Sequence, residues 1–110
     1  MKRACMNYVE QDFDGFVGIS LTPKETGFRN CIHIPFNDGV NTIPYVLYQR
    51  DRMIPISISD SPSFLMEGDN IEEFEEISVF IQKNKDLFLE HWYHGIDLVK
   101  FYDTVKELKQ

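Results

Sequence analysis

Two hydrophobic rhythms divide the chain near residue 60. From Asn70 onward the apolar positions recur at helical spacing. At 100° per residue Phe74, Ile77, Ile81, Phe88 and Trp92 fall on one stripe, while Glu72, Glu76, Lys83 and Glu90 point away. The pattern predicts one amphipathic helix of about 22 residues, roughly 33 Å long. Asn70 with Glu73, or Asp69 with Glu72, supplies an N-cap pattern. Gly95 is expected to end the helix in a left-handed cap and Asp97 to cap the next, in which Leu98, Phe101, Tyr102, Val105 and Leu108 repeat.

Before residue 60 the apolar positions alternate. Ala4 to Val9, Phe16 to Leu21, Phe28 to Ile34, Tyr45 to Arg50 and Met53 to Ser59 read as strands. Asp14-Gly15, Pro23 with Gly27, Asn37-Asp38-Gly39 and Asp51-Arg52 mark the reversals between them. In the last strand Ile54, Ile56 and Ile58 face inward and Pro55, Ser57 and Ser59 outward, and Pro55, which has no N–H, places that strand at an edge or a bulge. A single helical turn is expected over Phe64 to Met66. The fold class predicted is α+β: an N-terminal antiparallel β-meander of about four or five strands, then a C-terminal αα-hairpin packed on the sheet. Residues 1–110 read as one domain, β-rich to residue 60 and helical after it.

Charge sharpens this picture. The net charge of −7 lies in the C-terminal half, where residues 61–110 carry five Lys/Arg against eleven Asp/Glu, compared with six against seven before them. An acidic chain weakly repels phosphate backbones and anionic lipid, so nucleic acid is a poor partner. Cys5 and Cys31 have no C-x-x-C spacing and read as reduced thiols. Asn7, Glu10 and Gln11 interrupt any signal-peptide core, and no apolar run reaches a membrane span. A cytoplasmic protein is the expectation.

Candidate chemistry is sparse. His91 and His94, at i and i+3 near the end of the long helix, with Asp97 beyond, form the sharpest metal-ligand set, although the H-E-x-x-H spacing is missing. The same residues also read as one half-buried histidine and one surface histidine at a helix C-terminus. Glu10, Asp12, Asp14 and Gly15 imitate a calcium loop but Leu21 stands where a bidentate Glu is needed. Ser57, Ser59, Ser61 and Ser63 lie in no G-x-S-x-G elbow. Tyr45 and Tyr48 with Arg50 and Arg52 offer an aromatic and cationic hairpin surface, and Glu72, Glu73, Glu75 and Glu76 an acidic patch able to dock a basic partner. The reading preferred is a non-catalytic protein-interaction domain, binding a protein partner or a second copy through these residues, with no cofactor. The alternative is a small metal-binding protein or enzyme using His91 and His94, with His33 as a further candidate.

The run Pro55-Ile-Ser-Ile-Ser-Asp-Ser-Pro62, then Phe80-Ile-Gln-Lys-Asn-Lys-Asp-Leu-Phe-Leu-Glu-His-Trp92, then Ile96-Asp97 resembles small uncharacterised bacterial proteins. Their pattern is a P-V-S-I-S-D-x-P strand and turn, a helix ending F-I-x-x-N-K-x-L-L-L-x-x-W, and an x-G-x-I-D opening of a last helix. The likeness covers about residues 55–102 and implies a fold and a bacterial source, with no reaction attached. In that pattern Gly falls two residues after Trp, whereas here His94 holds that place and Gly95 follows. Either His94 takes a left-handed conformation or the helix runs one residue longer.

Overall fold

The structure is a computed structural model and describes residues 18–37 and 43–106. The expected strand Ala4 to Val9, the Asp14-Gly15 turn, Cys5, the loop tip at Gly39 and Leu108 lie outside the described residues. Four strands, β1 (Gly18–Leu21), β2 (Ile32–Pro35), β3 (Tyr45–Gln49) and β4 (Met53–Ser57), form one antiparallel sheet in chain order. A one-turn helix, α1 (Pro23–Thr26), fills the β1–β2 connection where the sequence suggested only a turn. The Glu25 carboxylate accepts from the Thr22 N–H at 2.9 Å, and Gly27, at φ 83°, closes it. Three helices follow, α2 (Phe74–Lys83), α3 (Lys85–His94) and α4 (Leu98–Thr104). The chain is therefore α+β, with a meander ahead of its helices.

The register decides which side chains share a face. Ser20 opposes His33, His33 opposes Leu47, and Leu47 opposes Pro55. Their neighbours Ile19, Leu21, Ile32, Ile34, Val46, Tyr48, Ile54 and Ile56 therefore fall on the other face, in the main core with Ile77, Phe80, Ile81, Phe88 and Phe101. Ile54, Ile56 and Ile58 face inward as their alternation predicted. Pro55 and Ser57, expected to face solvent, are buried. The reason is the segment after β4, which is extended and not helical. Ser57 N–H donates to Ser63 O at 2.9 Å, Leu65 N–H to Pro55 O at 3.1 Å, and Phe64 forms a bridge with Ile56. β4 is the last of the four described strands in the sheet order, and these bonds satisfy its outward groups. Leu65 and Met66 then cover Tyr45 and Leu47, and with Trp92 they make a second, smaller core.

The single long helix is corrected in two places. It begins at Phe74, later than either predicted cap, because the Asp69 carboxylate is fully buried against Arg52 and so does not serve a helix end. It also breaks at Asn84, which sits at φ −112° and ψ 16°. The buried Asn84 amide donates to Phe80 O at 2.9 Å and to Lys106 O at 3.1 Å, and its oxygen accepts from Lys106 N–H at 2.6 Å. One side chain thus ties the break to the chain beyond α4, and the expected hairpin is a three-helix unit. At the far end His94 is the last residue of α3, and Gly95 follows at φ 64° and ψ 105°. His94 is therefore helical and does not take the left-handed conformation weighed for it. A Cβ on Gly95 would lie 2.9 Å from the Phe36 ring, so both φ and packing demand glycine here.

Candidate functional site

The acidic start of α2 is engaged with the sheet. Glu73 Oε1 accepts the Arg29 N–H at 2.8 Å and also the Tyr48 hydroxyl, which in turn accepts from Asn30 at 3.1 Å. Burial, followed by the bond to Glu73, pushes the Tyr48 phenol above its usual range. Glu72 pairs with Arg29 at 2.8 Å, both side chains well exposed, and Glu75 and Glu76 remain at the surface. Tyr45 and Tyr48 are not surface aromatics. Tyr45 lies edge-on to Trp92 with centroids 4.9 Å apart, and both tyrosines are buried. The expected aromatic and cationic hairpin surface is therefore absent, because both faces of β3 are covered.

The three proposed metal ligands part company. His91 is fully buried, beyond the half-burial its position on the helical wheel suggested. Its Nε2 donates to Ile34 O at 3.1 Å, and its ring packs on Phe36, with centroids 4.5 Å apart, and against Phe101 at 5.7 Å. Among the described residues its Nδ1 has no hydrogen-bond partner. Burial holds the imidazole below its ordinary value, partly offset by the Ile34 carbonyl. His94 is exposed. Asp97 caps α4, its Oδ1 accepting from the Val99 N–H at 2.7 Å. Among the described residues no group of three or more His, Cys, Asp or Glu side chains is placed to hold a metal ion.

What the α3–α4 corner does present is apolar surface. Phe36, Tyr93, Leu98 and Val99 are 37%, 57%, 52% and 68% exposed, and among the described residues Val79 is the other large hydrophobic at the surface. Phe36, Tyr93, His94, Ile96 and Asp97 line one open groove. The Asn37 N–H donates to Trp92 O at 3.0 Å and holds the end of β2 against α3 there. Glu90, three residues before Tyr93, and Asp103, four after Val99, share helix faces with them. Glu90, Asp97 and Asp103 are all exposed, and the Lys100 ammonium lies 3.9 Å from Glu90. Periodicity gave no signal for this surface, since Phe36 follows the predicted strand and Leu98 falls on the apolar repeat of the last helix.

A second constellation was equally invisible. Ser20 Oγ lies 2.7 Å from His33 Nδ1, and His33 Nε2 lies 2.7 Å from Gln49 Oε1. Only the strand register brings these three residues together. Comparison with protein-family models, with curated proteins and with solved structures finds no match for this chain. Among the described residues no helix is long and apolar enough to cross a membrane.

Proposed function

We propose that the protein is a protein-interaction domain that docks a partner protein on the α3–α4 corner, through Phe36, Tyr93, Leu98 and Val99. The carrying observation is that Phe36 and Tyr93 are exposed beside one groove and Leu98 and Val99 are exposed at the start of α4, while among the described residues most of the other large hydrophobics are buried. Clustered apolar surface with a polar rim is the usual mark of an interaction site. The occupant is a partner whose apolar segment is flanked by Lys or Arg. The exposed carboxylates of Glu90, Asp97 and Asp103 complement such a segment, and a second copy of this chain, at net charge −7, would set like charge against like.

A photo-crosslinker placed at Val99, and another at Glu75 as control, tests this. The Val99 probe should capture a protein whose crosslinked segment is basic, and the purified partner should bind with an affinity that falls as salt rises. A concentration-dependent homodimer crosslinked through Val99, or capture at Glu75 alone, would overturn the proposal.

A further inference from the structure

Ser20, His33 and Gln49 cross three strands on the sheet face opposite the main core. Ser20 and His33 are register partners, so their side chains are direct cross-strand neighbours. Gln49 Oε1, 2.7 Å from His33 Nε2, can only accept, so Nε2 carries the ring proton. Nδ1 then presents its lone pair to the Ser20 hydroxyl at 2.7 Å. Ser20 and His33 are half-buried and Gln49 is exposed, which leaves the row within reach of a small molecule. A hydroxyl bonded to a base whose tautomer is fixed by a third group is the arrangement that activates a serine nucleophile.

We propose that Ser20 accepts acyl groups from activated esters, with His33 as its base and Gln49 as a positioning residue. In the first step the Ser20 Oγ–H proton passes to His33 Nδ1 as Oγ bonds to the ester carbonyl carbon. Collapse of the tetrahedral adduct breaks the bond to the leaving oxygen, which takes that proton from Nδ1 and departs as an alcohol. Water then adds to the acyl-serine by the same route, releasing a carboxylic acid and restoring the Ser20 hydroxyl. A positioned general base supplies roughly 10²- to 10⁴-fold. That suffices for an ester with a good leaving group and falls far short for an amide, so the substrate class is activated esters and not peptides. This inference is independent of the docking reading.

The full chain treated with p-nitrophenyl acetate tests it, with nitrophenol release followed optically and the acetylated residue located by mass spectrometry. The expected result is acetyl on Ser20, lost in Ser20→Ala, and a rate about 10²-fold lower in His33→Ala. Gln49→Leu should also slow the reaction, and Gln49→Glu, which keeps the acceptor, should restore it. Acetylation confined to lysines, or Ser20 acetylation at an unchanged rate in folded His33→Ala, would overturn the proposal. Should His33→Ala fail to fold, the exposed Gln49 pair decides, and equal rates for its Leu and Glu variants would overturn it.

Discussion

The two ends of the α2–α3 segment differ in how their side chains are used. At the acidic start, part of the charge is turned inward, with Glu73 between Tyr48 and the Arg29 backbone and Asp69 buried against Arg52, while Glu72, Glu75 and Glu76 stay exposed. At the other end, a stretch that looked like a metal site is anchored by a buried His91 and a buried Trp92, and these hold exposed Phe36 and Tyr93 at the surface. A dense charge run says little about what remains accessible once the chain folds. Two large buried rings, by contrast, fix the backbone that displays their neighbours.

The strongest perturbation of this contrast is Trp92→Ala. The ring fills the second core with Tyr45, Leu47, Leu65 and Met66, and its loss should cost about 3 to 5 kcal/mol in denaturant unfolding. A cost below about 1 kcal/mol would show that the second core does not support this end. At the opposite end Tyr48→Phe removes a buried bond to a carboxylate and should cost about 1.5 to 3 kcal/mol, whereas Glu75→Gln should stay within about 0.5 kcal/mol. Equal effects from the two would remove the distinction between engaged and idle acids.

A gentler probe is pH. Burial lowers the His91 pKa in the folded state, so the unfolded chain binds this proton more readily. The contribution of neutral His91 is complete above the unfolded value of about 6.5 and is lost as pH falls from there through the folded pKa. Unfolding free energy should therefore decline from pH 7 toward pH 5, and His91→Phe should flatten that slope. An unchanged slope would place the titration elsewhere. The smallest effect expected is that of Val99→Ser, within about 0.5 kcal/mol of the parent, as for an exposed side chain that stabilises nothing.

Local pattern carried the meander, the place of β4 last among the described strands, the inward Ile54, Ile56 and Ile58, the Asp97 cap and the burial of Trp92. Contacts distant in sequence decided the rest. Asn84 sits on a continuous apolar stripe and reads as a neutral helix residue, and only its bonds to Lys106 break the helix there. Pro55 and Ser57 alternate as outward positions, and only the returning Ser63 to Met66 segment buries them. Phe36 reads as a residue after a strand, and its place beside Gly95 and Tyr93 follows from packing between distant segments. The Ser20, His33 and Gln49 row depends on register across three strands, which a one-residue slip would abolish.

The central claim, that the partner docks at the α3–α4 corner and not at the acidic start of α2, is tested most directly by titrating the partner captured through Val99 against two charge variants. Val99→Asp should abolish binding while leaving the fold and its unfolding midpoint unchanged, and Glu75→Lys should bind as the parent does. Loss of binding in Glu75→Lys with Val99→Asp unaffected would contradict the account and return the interaction to the acidic end.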